Sequence, residues 1–161
     1  VNNAIGELPP VNSTVGSKFE RWFGAQDAAS HDKVKSILTG IPASLVFSRI
    51  WCPDRNMTLP NSGQGSYAWV PQGAVDELFL EEKFFTVAPP TGTDSQPGTI
   101  VHEVAHLSTV ANVVDSDVTG DGIPDYDIPD AEQLARTRPD LAQRTANNLE
   151  YFVEDLAYGI P

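Results

Sequence analysis

His102 and His106 stand four residues apart in "TIVHEVAHL", a segment whose remaining positions include Ile100, Val101, Val104, Ala105 and Leu107. Four residues is about 40° around an α-helix, so a helix beginning near Thr99 presents both imidazoles on one side from consecutive turns. A helix this apolar must be mostly buried, and a buried polar group without a partner is costly. The fold therefore has to enclose this helix while giving two histidines, and Glu103 beside them, something polar to bind.

Two imidazoles aimed at one point suit a zinc ion. Glu103 projects in the neighbouring direction, where a carboxylate can take a proton from a water whose pKa zinc lowers to about 7. This H-E-x-x-H pattern is that of zinc peptidases, although five residues alone also arise by chance. The chain has only three histidines, and two of them are here. The third, His31 in the polar "SHDK", reads as an ordinary surface residue.

With 161 residues, 40% of them hydrophobic, the chain has material for one core. Acidic residues outnumber basic ones 22 to 10, a formal net charge of -12, which argues against unaided binding to nucleic acid or anionic membrane and favours cationic substrates or metal ions. No apolar run approaches the roughly 20 residues that cross a bilayer. Val1 to Pro10 lacks the basic start and apolar centre of a signal peptide. Cys52 is alone, so no internal disulfide forms and packing must hold the fold.

Residues 1–16 read as an extended lead-in, followed from Ser17 by a helix with Phe19, Trp22 and Phe23 on one side. His31 to Leu38 reads as a second short helix, Ala43 to Trp51 as a strand, and Cys52 to Gly65 as a turn-rich loop. Ser66 to Val70 suits a short strand; Ala74 to Phe85 fits either a strand or a short amphipathic helix. Pro129 and Pro139 suit first helical turns. Leu141, Thr145, Leu149, Phe152 and Leu156 predict a last helix with one face on the core, ending at Gly159.

Six segments in order, "ERWFG" (from Glu20), "WC" (from Trp51), "YAWV" (from Tyr67), "KFF" (from Lys83), "GTDSQPGTIVHEVAH" (from Gly92) and "TANNLEYFVE" (from Thr145), resemble blocks of one family. They are similar to the deuterolysin-like zinc endopeptidases called aspzincins, and within them to the peptidyl-lysine metalloendopeptidase branch. The resemblance covers most of Glu20 to Glu154. It implies a small α+β zincin, one catalytic domain over residues 1–161. The H-E-x-x-H helix would lie under a short sheet, with a helical C-terminal part. It further implies a secreted monomer with Zn2+ as cofactor, acting on protein or peptide substrates and not on nucleic acid or membrane.

In that family the two histidines and a downstream aspartate bind zinc, the glutamate is general base, and a tyrosine after the aspartate stabilises the oxyanion. His102, His106 and Glu103 match directly. Nine residues past His106 is Asp115, preceded by Val113 and Val114 where the family has glycine and threonine. An unbroken helix would point Asp115 away from His106, since nine residues make about two and a half turns. The helix must end first, and Asn112 suits the reversal because it tolerates the left-handed conformation. Counting back from "EYF" gives Tyr126 the oxyanion tyrosine's place, with one insertion after Asp115. Asp115 is the favoured third ligand, Asp125 the second choice and Asp117 the third.

The insertion, residues 115–128, resembles calcium loops. Asp117, Thr119, Asp121, the Ile123 carbonyl and Asp125 alternate as oxygen donors, but position 12 is Ile128, so Asp127 or Asp130 would have to substitute. The plain alternative is a solvated acidic turn. The lysine-selective branch places acidic residues near "EYF" to receive a lysine after the scissile bond. Glu150 keeps that role, whereas Asn147 stands where the branch tends to have an aspartate. Two functions follow: a zinc endopeptidase using Glu103, or an inactive, calcium-stabilised zincin-fold binding module whose loop has displaced the third ligand.

Overall fold

The computed structural model describes residues 14–24, 27–52 and 65–161. The spacing of Phe19, Trp22 and Phe23 is realised in α1 (Thr14–Phe23), which buries all three completely. This helix starts at Thr14, so Thr14 to Gly16 are helical where an extended lead-in was expected; the rest of that lead-in and most of the Cys52 to Gly65 loop lie outside the described residues. His31 is half-buried rather than a plain surface residue. Its ring packs 4.2 Å from that of Phe19, and its Nε2 is buried without a hydrogen-bond partner.

α2 (Ala28–Phe47) is twice the length of α1 and absorbs most of the strand expected over Ala43 to Trp51. Asp27 caps it by accepting from the Ser30 amide at 2.9 Å, and Val34, Ile37, Leu38 and Ile41 form its buried stripe. Val46 and Phe47 are 77% and 79% exposed, so burial does not pull "LVF" into the sheet. Helix bonding carries it past Pro42 instead, and only Arg49–Trp51 remains as β1. Strand propensity was outweighed by a helix already capped and packed.

β2 (Ala68–Trp69) and β3 (Glu77–Leu80) complete a three-stranded sheet of order β1-β3-β2, parallel between β1 and β3 and antiparallel between β3 and β2. β3 alternates, with Leu78 and Leu80 buried, and is followed at once by the short α3 (Glu82–Thr86). The segment Ala74 to Phe85 thus holds both a strand and a helix. Trp51, Phe79 and Trp69 share one row of the register, and their rings stack with centroids 6.0 and 4.1 Å apart.

The histidine helix, α4 (Gln96–His106), begins three residues before Thr99 because Ser95 caps it, its Oγ accepting from the Gly98 amide at 3.1 Å. α5 (Ile128–Thr137) and α6 (Pro139–Ala142) each carry proline in the first turn. α7 (Ala146–Tyr158) ends at Gly159, whose φ of 67° is left-handed. Leu149 and Phe152 are buried on its core face; Leu141 belongs to α6, and Thr145 is the cap of α7. No helix among the described residues is long and apolar enough to cross a membrane.

α4 packs along α7, and a carboxylate fastens the seam. Buried Glu154 accepts from the Ser95 amide and hydroxyl, both at 2.7 Å, and from the Asp94 amide at 3.2 Å. Gly98 makes room for it: a Cβ there would lie 2.0 Å from Glu154 Oε1. Burial pushes the Glu154 carboxyl up to about 7, against the opposing bonds from Ser95. A carboxyl raised above its ordinary 4.5 binds its proton more tightly folded than unfolded, so its contribution to stability is lost as pH climbs from about 4.5 to 7. In denaturant titrations, the stability difference between Glu154→Gln and wild type is expected to move in the variant's favour by about 2–3 kcal/mol between roughly pH 4 and pH 8. A difference independent of pH would contradict the assignment.

Candidate metal centre

α4 stops at His106, and Asn112 at φ 48° turns the chain back. The Val113 amide then donates to the Ala105 carbonyl at 3.2 Å. The next residue is pinned to the start of α7: the Val114 amide donates to Arg144 O, and Val114 O accepts from the Ala146 amide, each at 3.3 Å. Asp115 is thereby delivered to the face of α4 that carries both histidines. Its Oδ1 lies 3.2 Å from His102 Nε2 and 3.3 Å from His106 Nε2.

The other ring nitrogens are already engaged. His102 Nδ1 faces Glu150 Oε2 at 3.0 Å, and His106 Nδ1 faces the Val113 carbonyl at 2.8 Å. Both partners are acceptors, so each Nδ1 carries the proton and donates it, leaving each Nε2 with a lone pair toward Asp115. Asp115 Oδ1 is buried and has no hydrogen bond. Three such atoms within 4.8 Å of one another form a ready site for a cation. Two ligand atoms on a tetrahedral zinc, with bonds of about 2.1 Å, stand about 3.4 Å apart, so the Asp115 separations fit that ion.

The surrounding carboxylates favour positive charge at this point, a proton on the imidazoles or a cation in its place. Burial opposes charging His102, but Asp115 and Glu150 outweigh it and hold its pKa well above the ordinary imidazole range. Burial likewise works against an ionised Asp115, and the two histidines overcome it, keeping its carboxyl far below the usual carboxylate range. Glu103, 8% exposed, is pushed up by burial while both histidines pull it down. The Tyr126 hydroxyl donates to Asp115 Oδ2 at 3.2 Å, and burial together with the Asp115 charge raises its pKa.

These side chains line two adjoining cavities. One, of about 500 Å³, runs between Ala68, Trp69 and Val70 on the sheet side and His102, Glu103, His106, Asp115 and Tyr126 on the other. The second, of about 700 Å³, shares His102, Glu103 and Tyr126 and is walled by Asp94, Asp127 and Glu150. Asp94 gives no sign in the sequence of belonging to a site, nor does the Val113 carbonyl, and Asp127 enters there only as a stand-in calcium donor.

The inserted loop does not displace Asp115. Asp125 lies away from the histidines, its Oδ2 accepting from the Val118 and Thr119 amides at 2.7 and 2.9 Å. Asp117 accepts from the amides of Gly120, Asp121 and Gly122 at 2.6, 3.2 and 2.7 Å, and these bonds, chiefly that from Gly122, lower its pKa. Asp121 takes the Ile123 amide at 2.9 Å, and Thr119 Oγ1 stands 3.4 Å from Asp125 Oδ1. Among the described residues, the group of three or more metal-binding side chains brought together is His102, His106 and Asp115. Asn147, expected to meet substrate, is 3% exposed and gives its Nδ2 hydrogen to the Asp125 carbonyl at 2.7 Å.

A two-histidine, one-aspartate cluster beside a glutamate, in a cleft between a short sheet and a helical half, is the layout of a zincin-type metallopeptidase. A family profile described as lysine-specific metallo-endopeptidase matches residues 11–154, and the chain belongs to that aspzincin family. It is 32% identical over 155 residues to an extracellular protease of Aeromonas hydrophila, covering 96% of this chain and 40% of that protein. It is 29% identical over 154 residues to a peptidyl-Lys metalloendopeptidase of Pleurotus ostreatus, covering 94% of this chain and 83% of that one. The solved zinc peptidase from Grifola frondosa matches its fold with a TM-score of 0.73 at 26% identity, over 98% of this chain and 84% of that one. The chain spans about two fifths of the length of the Aeromonas relative.

Proposed function

We propose that residues 1–161 are the catalytic domain of a secreted, monomeric zinc endopeptidase that hydrolyses internal peptide bonds of proteins. The observation that carries this reading is the convergence of His102 Nε2, His106 Nε2 and the unpartnered Asp115 Oδ1 in the cavity that also holds Glu103. His102, His106 and Asp115 are the proposed ligands. Zinc, when bound, supplies Lewis acidity to water and to the substrate carbonyl.

The chain's own residues do the rest. Glu103, buried in a setting that raises its proton affinity, takes a proton from the attacking water and passes it to the leaving amine nitrogen. Glu150 and the Val113 carbonyl fix the two imidazole rings. Tyr126 turns its O–H from Asp115 to the oxygen that gains charge at the scissile carbonyl. β2 pairs with β3 on one edge, and an extended substrate backbone can pair along the other, where it borders the cleft. The relatives named for cleavage at lysine support a lysine preference after the scissile bond. The cavity walled by Asp94, Asp127 and Glu150 supports it too, because no lysine or arginine pairs with these carboxylates among the described residues. The loop carboxylates already hold backbone amides, so the proposal needs no calcium.

Metal analysis of the purified protein is expected to give one zinc per chain. Asp115→Ala should weaken zinc binding by at least about a hundredfold, and Asp125→Ala should leave it unchanged. The reverse pattern would move the ligand to Asp125. Glu103→Ala is expected to keep its zinc and to lose casein hydrolysis by about a thousandfold. Equal digestion by variant and wild type would sink the mechanism. For lysine selection, Asp127→Asn should lower kcat/KM about tenfold on a peptide with lysine after the scissile bond and leave its leucine counterpart unchanged; equal losses on both would refute it.

A further inference from the structure

The insertion creates a mechanical problem at Tyr126. Tyr126 lies eleven positions after Asp115 and its phenol is about half exposed, yet its hydroxyl is held within reach of the cluster, 3.2 Å from Asp115 Oδ2. The bonds that Asp117 and Asp125 accept from the loop's own amides, with that from the Asp125 amide to the Ser116 carbonyl at 2.9 Å, shape the loop without reaching α4 or α7. A misplacement of about 1 Å in a reacting group can cost about a hundredfold in rate. Some contact from the body of the protein has to hold the far end of the insertion.

Asn147 and Tyr151 supply it. They lie four residues apart, on one side of α7. Asn147 Nδ2 donates to the Asp125 carbonyl at 2.7 Å, and the Tyr151 hydroxyl donates to the Tyr126 carbonyl. Two successive carbonyls, the second belonging to Tyr126 itself, are thus gripped by side chains that are 3% and 2% exposed. Tyr151 cannot swing, because its ring packs 5.4 Å from that of fully buried Trp22. Its hydroxyl is farther from Asp94 Oδ1, at 3.5 Å.

We infer that Asn147 and Tyr151 are positioning residues that set Tyr126 against Asp115 by fixing the backbone at Asp125 and Tyr126. The inference rests on the proposed endopeptidase reading for its catalytic consequence. It also accounts for asparagine at 147. An aspartate there has no N–H to give the Asp125 carbonyl and would set a carboxylate against it, so a neutral donor is required once the insertion is present. Position 147 faces the loop, and neither cavity at the site is lined by it.

The test uses Tyr151→Phe, which keeps the ring on Trp22, and Asn147→Asp, which keeps the side-chain shape. Each is made alone and in a Tyr126→Phe background. Hydrogen exchange across residues 117–126 is expected to speed up at least about fivefold in both single variants, with zinc content and exchange in α1 and α4 unchanged. On a lysine-containing peptide, kcat should fall about tenfold with KM within about twofold. In the Tyr126→Phe background the same substitutions should cost less than about twofold, because the group they position is gone. Full additive losses in that background would overturn the inference. So would unchanged loop exchange, or a rise in KM at preserved kcat, which would place Asn147 against substrate. A wild type without any hydrolysis would defeat the endopeptidase reading, while the exchange measurement would still sustain or overturn the anchoring.

Discussion

The hydrogen bond between His102 Nδ1 and Glu150 Oε2 ties the histidine helix to the last helix and decides which imidazole nitrogen is left bare. Much of the rest depends on that seam. Glu154, one turn further along α7, grips the start of α4 through Ser95 and Asp94, and Gly98 is the one residue type that leaves space for it. Two carboxylates on one helix thus fix the height and rotation of the other. With α4 held at both places, the direction of each Nε2 is settled before any ion arrives, and the ordering entropy of the ligands is met by the fold rather than by metal binding.

A second constraint is the reversal after α4. His106 ends the helix, Asn112 adopts φ 48°, and the next carbonyl, Val113 O, caps His106 Nδ1. The same short stretch joins Val114 to Thr145 and Ala146, so one turn orients a histidine, delivers Asp115 and docks on α7. Extra chain inserted before Asp115 would break all three relations. Inserted after it, between Asp115 and Tyr126, it leaves all three intact and bears on the tyrosine, which meets the cluster through one hydrogen bond and a ring contact with His102.

What could be read from the sequence follows the range of the forces involved. The histidine pair, the terminus at Gly159 and the prolines opening α5 and α6 depend on local periodicity and backbone sterics, and these are written in neighbouring residues. The position of Asp115 beside the histidines is legible by one further step, since an unbroken helix would turn it away and Asn112 offers the break. The strand expected over Ala43 to Trp51 is cut back to Arg49–Trp51 because local β propensity competes with a helix capped far upstream at Asp27 and packed through Val34, Ile37, Leu38 and Ile41. His31 looked like a surface residue because only tertiary packing places Phe19 against it. The Val113 carbonyl and the donor role of Asn147 had no signature, because one is backbone and the other depends on where a distant loop ends.

The charge pattern links these observations to recognition. A net charge of -12 does not by itself select a cationic side chain, because exposed carboxylates are screened within about 10 Å at ordinary ionic strength. Carboxylates that border a shared cavity act at shorter range. Burial first, then the nearby charges of Glu150 and Asp127, raise the pKa of Asp94 against the opposing Tyr151 hydroxyl and His102, so like charges repel across this cavity. On the proposed reading, an incoming lysine relieves that repulsion, which a neutral side chain cannot do. Asn147 is buried under the loop and Glu150 is bonded to His102, so the carboxylates most free to meet such a side chain are Asp94 and Asp127. Asp127 directly follows Tyr126, so the anchoring that holds the phenol also sets one wall of the pocket. On the proposed reading, position in the reaction and choice of substrate are coupled through two successive loop carbonyls.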